Sequence, residues 1–348
     1  MNEILKKAIK ASSSRKEEEE QWLMDIDKGD AVMALLLPSL VKLEVLDVEL
    51  PEDDVYHFIQ MFKKARRREK PFDTKPAFPH LRDFMHSFDV PPDDYGYSPR
   101  WLFLFMLLPA IRGVFGQRLS SKVPEMVGSV YDVFQPLSAS SPLSHIELGD
   151  CNLIDRDLIR LLEAPKALKI LIYRLGESSC ILKADEIRDA ITPQEDFMEN
   201  LWLECKDLEP TDNMPLMRSF ISFKCLKILR IEAEYLLRVP KRINVAYSVD
   251  QNSRRDLIDI FPRTLQILEI IRCNVLVHRA LEELMFHKNA QVPNLVELVL
   301  AGLTMEPEKL KDKFAKLAEI TQSENVSLSY RDISSIPTLP VWSETSRE

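Results

Sequence analysis

Six histidines are the first place to look for acid–base or metal chemistry: His57, His80, His86, His145, His278 and His287. None stands in an HExxH pair, which on a helix would set two imidazoles one turn apart for zinc. His278 and His287 are nine positions apart on one predicted helix, so they do not share a face on adjacent turns. Five cysteines (Cys151, Cys180, Cys205, Cys225, Cys273) are scattered without a CxxC pair, and a reducing compartment is the simpler reading. No GxSxG elbow and no Gly-rich phosphate loop is present in a chain with only 8 glycines. Neighbouring carboxylates such as Asp155 and Asp157, or Glu282 and Glu283, read as the solvated sides of helices. The expectation is therefore a protein that is not an enzyme, with no catalytic residues, no cofactor and no metal.

One local charge feature stands out. Lys63, Lys64, Arg66, Arg67 and Arg68 form a basic run that continues to Lys70. It follows a helical pattern, and cations are favoured at a helix C-terminus by the macrodipole. The same run also matches a nuclear localisation signal or a docking patch. Over the whole chain the balance is acidic, with a net charge of −9 and a pI near 5.4. That argues against nucleic acid as a partner, because such proteins carry a basic footprint. The longest apolar stretch, Trp101–Ala110, is too short to span a bilayer, and the N-terminus shows no apolar signal-peptide region. No membrane partner is expected, and the expected location is the cytoplasm, or the nucleus if the basic run acts as a signal.

What positions these residues is a repeated phrase, apolar–x–x–apolar–x–apolar. Its cleanest copies begin at Leu143, Leu226, Leu265 and Leu295. Weaker ones begin at Leu40, Leu81, Ile111, Leu168 and Met198, and a degenerate last copy covers Val326 and Leu328. The nine starts are separated by 41, 30, 32, 25, 30, 28, 39 and 30 residues. Most spacings lie at or just above the period of leucine-rich repeats. Cys151 and Cys273 stand eight residues after Leu143 and Leu265, where such repeats turn a small side chain inward. Between the phrases, helical spacing recurs at Val55, Phe58, Ile59 and Phe62, at Leu158, Leu161 and Leu162, at Ala280, Leu281, Leu284 and Met285, and at Leu310, Phe314 and Leu317.

Strand, turn and helix in that order predict an α/β leucine-rich repeat solenoid, a horseshoe with a parallel concave sheet and helices on the convex side. The predicted organisation is a helical N-terminal lead-in over 1–37, partly disordered, the repeat domain over 38–330 and a tail over 331–348. In each phrase the second and third apolar residues point into the core. The residue between them, and its neighbour two positions away, point to the concave face. Ile170, Ile172, Trp202, Ile228 and Ile267 then lie on successive strands as an exposed apolar patch, edged by Arg230 and Glu269. Such a patch is the usual mark of a protein partner's site; the alternative expectation is that an inserted loop or the tail folds over and covers it.

The phrases PSLVKLEVLDVEL, SPLSHIELGDCNLIDRDLIRLLEAPKALKIL and VPNLVELVLAG, at a spacing near 30 and after a helical lead-in ending LLLPSL, resemble the repeat region of fungal F-box proteins. The resemblance covers roughly residues 30–330. It implies a substrate-recognition arm of a ubiquitin ligase, with repeats that hold the substrate and an N-terminal helix trio that docks on the adaptor of a cullin-RING ligase. No LPxE-like motif stands within residues 1–37, so the F-box itself is not evident. The alternative expectation is a stand-alone leucine-rich repeat scaffold or regulator with no ligase link.

Overall fold

In the computed structural model, the described residues are 3–27, 29–48, 56–86, 97–121, 138–153, 155–176, 184–205, 216–217, 219–237, 257–273, 275–302 and 307–332. They form an α/β fold of parallel strands flanked by helices. The chain divides into two compact units, Met1–Ser144 with Ala164–Lys166, and His145–Glu163 with Ala167–Glu348.

The first unit opens with three helices, α1 (Glu3–Ser12), α2 (Lys16–Asp25) and α3 (Gly29–Leu36). A three-strand parallel sheet follows: β1 (Val45–Asp47), β2 (Asp83–His86) and β3 (Gly113–Gln117). Helices α4 (Tyr56–Arg67) and α5 (Arg100–Met106) alternate with the strands. Phe58, Ile59 and Phe62 do bury one face of α4. Their neighbour Val55 lies outside the described residues. Phe84 of β2 stacks on Phe105 at 3.5 Å, and Phe58 and Phe62 pack on the same ring. Polar contacts fix α2 on α4. His57 Nε2 lies 2.9 Å from Asp25 Oδ2 with the Trp22 ring 4.1 Å away, and Lys64 Nζ pairs with Glu18 and donates to the Ser12 carbonyl.

The first phrase sits three residues later than its spacing suggests. Leu46 pairs with Phe84 in the ladder and is buried, whereas Val45, expected inward, is exposed. The aligned phrase is Leu43–x–x–Leu46–x–Val48. Apolar residues at 40, 43, 45, 46 and 48 satisfy both registers in sequence, and only pairing with β2 chooses between them.

The second unit is a seven-strand parallel sheet whose spatial order follows the sequence. Its strands are β4 (His145–Cys151), β5 (Ile170–Leu175), β6 (Asn200–Cys205), β7 (Ile228–Glu232), β8 (Ile267–Ile271), β9 (Glu297–Ala301) and β10 (Ser327–Arg331). The main connecting helices are α6 (Asp155–Glu163), α7 (Ala184–Ile191), α8 (Ala233–Leu236), α9 (Val275–Phe286), α10 (Lys288–Gln291) and α11 (Pro307–Ser323). A parallel pair needs such a crossover, because a two-residue turn returns the chain antiparallel.

The phrase dictates the core. Ile146, Leu171, Leu201, Leu229, Leu268 and Leu298 are register partners along the sheet and all are fully buried. Leu148, Tyr173, Leu203, Ile231, Ile270 and Leu300 form the second buried row. Each such side chain contributes about 1.5–3 kcal/mol by leaving water. Helices close over these rows: Phe314 of α11 touches both His278 of α9 and Tyr330 of β10. Gln194 joins two repeats, accepting from Leu168 N–H at 2.9 Å and donating to the Leu162 carbonyl.

Cys151 and Cys273 face inward, as their positions in the phrase predict. Both are buried, and their thiols donate to the carbonyls of Gly149 and Ile270. Burial pushes the Cys273 thiol far up its titration range. Among the described residues Cys151, Cys205, Cys225 and Cys273 are free of disulfides. Cys180 lies outside them.

A bulge ends β4. Asp150 takes a left-handed φ of 51°, and the pairing with β5 shifts between Leu148 and Cys151. Gly176 then passes so close that a Cβ there would sit 2.6 Å from the Asp150 carbonyl oxygen. Backbone cannot retreat as a side chain can. Gly176→Ala is therefore expected to lower unfolding stability by about 1–3 kcal/mol, read from a urea titration. An unchanged midpoint would show that this approach is looser than described.

Candidate functional site

The face of the second sheet opposite the buried leucine rows carries three ranks of side chains. The first is His145, Ile170, Asn200, Ile228, Ile267 and Glu297. The second runs through Glu147, Ile172, Trp202, Arg230, Glu269 and Val299. The third includes Arg174, Glu204, Glu232, Ile271, Ala301 and Arg331. The ladder thus places all seven predicted contact residues on one face, in two adjacent ranks.

Their exposure differs from expectation. Ile172, Trp202 and Glu269 are only 3–4% exposed, whereas Ile170, Ile228, Arg230 and Ile267 are half-buried. Ile172 and Trp202 cluster with Ile271 and Ala301 of the third rank, and Ile170 packs against them. The wide exposed patch is corrected to an accessible first rank beside a buried cluster. Strand alternation decides which face a side chain takes, but not what neighbouring side chains close over it.

The cluster is held by charge. Trp202 Nε1–H donates to Glu204 Oε2 at 3.1 Å, and the same oxygen lies 3.1 Å from Arg174 Nε. The Arg230 guanidinium sits 3.9 Å from the Trp202 ring centroid, and its Nη2 lies 2.5 Å from Glu269 Oε2. A cation over a desolvated indole contributes about 2 kcal/mol. At one end of the face, His145 Nε2 is 2.8 Å from the buried carboxylate of Glu147.

The third rank was missed because the outward residues were counted only to the middle of each strand. It stands six residues after each phrase start, so the same periodicity contains it. Glu232 is its most perturbed member. The described pairing of β6 with β7 runs to Leu203 and Ile231, and Glu232 Oε1 then accepts the Cys205 N–H at 2.5 Å. The other oxygen lies 4.0 Å from Arg272 Nη1. Burial drives the Glu232 carboxyl from the ordinary 4.5 up to about 8, against the pull of Arg272 and the Cys205 N–H. Glu234 and the Tyr235 phenol are raised as well, both mainly by burial.

The basic run belongs to the first unit. Lys64 is buried against α2 by its contacts with Glu18 and Ser12, so it is not a residue a receptor reads while the helices stay docked. Arg66, Arg67 and Arg68 are exposed and Lys63 half-buried. Arg68, at φ 56°, ends α4 by a left-handed turn. His86 is wholly buried, and burial lowers it to about 4, so it is neutral at pH 7. Among the described residues no group of three His, Cys, Asp or Glu side chains could hold a metal, and no helix is long and apolar enough to cross a membrane.

Two outcomes are expected. Trp202→Ala should destabilise the second unit by about 3–5 kcal/mol, the cost of emptying a buried aromatic site, seen as a lowered denaturation midpoint. The pH dependence follows from Glu232. Its folded form keeps a proton that the unfolded chain releases near 4.5, so stability is full at acidic pH and falls as pH rises towards about 8. The slope from this one group reaches at most about 1.4 kcal/mol per pH unit. Comparing Glu232→Gln with the wild-type chain between pH 5 and 9 should show a flatter profile in the variant; parallel profiles would remove Glu232 as the source.

Comparison of the chain with family models, with curated proteins and with solved structures returns no match.

Proposed function

We propose that the chain is a leucine-rich repeat solenoid that holds another protein on the outer face of its sheet and carries out no reaction itself. The observation that carries this reading is the register. From the phrase of Leu143 to that of Leu295, the second and third apolar residues fall on the same two ladder positions of successive strands. One face is thereby committed to the core and the other displays a continuous rank of side chains, the arrangement by which solenoids present extended binding surfaces. Half-buried Ile170, Ile228 and Ile267 on that rank supply apolar contact, and Asn200 and Glu297 supply polar contact.

The resemblance to F-box repeat regions narrows the proposal to the substrate-recognition arm of a cullin-RING ubiquitin ligase in the cytoplasm or nucleus. Three helices stand ahead of the first strand, where that reading places the adaptor contact. The absence of an LPxE-like motif from residues 1–37 favours the second reading, a stand-alone scaffold.

Tagged wild-type chain and an Ile228→Asp, Ile267→Asp double variant of matched melting temperature would be recovered from cells and their retained proteins compared. Loss of a retained protein only in the variant is the expected result; an unchanged set would reject the outer face as the binding surface. A cullin and its adaptor retained by both forms would support the ligase arm, and their absence from both would leave the stand-alone reading.

A further inference from the structure

The unsatisfied groups at one end of the outer face are a carboxylate oxygen and a hydroxyl. Glu269 is 3% exposed; its Oε2 is engaged by Arg230, but its Oε1 is buried without a hydrogen-bond partner. Ser329, one strand beyond Val299 in the same rank, has a buried hydroxyl that is likewise unpartnered. Glu297, in the first rank of β9, keeps a third of its side chain in water. A buried carboxylate oxygen with no donor carries its desolvation cost uncompensated.

A second cation, Arg331, stands beside both acids without satisfying either. Arg331 Nη1 stands 3.8 Å from Glu269 Oε2, and its Nη2 stands 3.9 Å from Glu297 Oε1. Both distances exceed hydrogen-bonding range. The Arg331 side chain is 40% exposed, so it is held by Coulomb attraction in a screened setting. Beside this acid pair, Ile228 and Ile267 offer a half-buried aliphatic strip.

We infer that this end of the face takes a basic side chain, Arg or Lys, from a partner segment whose flanking residues are aliphatic. Its cationic head would bond Glu269 Oε1 and Glu297, displacing Arg331, while its methylene stem lies along Ile228 and Ile267. The sign of the unmet hydrogen bonding sets the choice. An acidic segment would face two carboxylates and bring no donor, and a purely aliphatic one would bury Glu297 without compensation. The inference rests on the outer face being the binding surface and names the chemistry of what binds there.

The test uses three labelled decapeptides, with Leu alternating with Arg, Glu or Ser, titrated into the full-length chain by fluorescence anisotropy. The Leu–Arg peptide is expected to bind at least about tenfold tighter than the others. Glu297→Gln and Ile267→Ser should each reduce that affinity severalfold at an unchanged melting temperature. Arg331→Ala should increase it, because the competing cation is gone. Equal binding of the three peptides, or weaker binding to Arg331→Ala, would overturn the basic-segment inference. If Ile267→Ser still lowered that equal binding, the outer face would stand as the surface. Peptide binding indifferent to Ile267→Ser would overturn both, and no binding tighter than about 1 mM to any peptide would overturn the basic segment.

Discussion

Every element of the second unit answers to one constraint: two ranks of apolar side chains on parallel strands must be covered along their whole length. A parallel strand cannot return to its neighbour by a tight turn, so each repeat has to supply a crossover. Leu158, Leu161 and Leu162 of α6, or Leu281, Leu284 and Met285 of α9, do this by turning a buried helical stripe towards the core. Irregular spacing is tolerated because extra residues enter the crossover, while the strand phrase keeps its register. Where backbone approaches backbone, as at Gly176 and Asp150, the constraint extends to individual residues.

The opposite face is stabilised differently. It lacks a continuous apolar rank, and its buried centre is built from an indole enclosed by arginines that are themselves tied to glutamates. Arg230 serves two neighbours at once, lying over Trp202 and against Glu269. Burying these acids is costly where no partner reaches every oxygen. In Glu232 that cost appears as a carboxyl retaining its proton up to about pH 8. A face with its core satisfied and acceptor oxygens left over differs from one built only for water, where charges would be solvated.

Much of this was legible in the residues. The phrase located eight of the ten strands among the described residues in register, the helical spacings located α4, α6, α9 and α11, and the eighth position of two phrases identified Cys151 and Cys273 as inward. The first phrase was misplaced because the run from Leu40 to Leu46 offers apolar residues in two registers, and local sequence contains no term to separate them. The face of Trp202 followed from alternation. Its burial did not, because the residues that meet the ring, Arg174 and Arg230 among them, come from the neighbouring strands. Lys64 looked like its basic neighbours until α2 was placed beside α4.

The sequence by itself determined which residues alternate, where strands give way to helices, and hence that parallel strands share one buried face. These are local properties, set by side-chain polarity read at periods of two and 3.6. Tertiary structure alone decided which oppositely charged residues meet, which carboxylates lose water, and which outward side chains are covered. Those outcomes depend on distances between strands some thirty residues apart in the chain, and electrostatic energy depends on that separation and on the surrounding dielectric, neither of which a one-dimensional pattern contains.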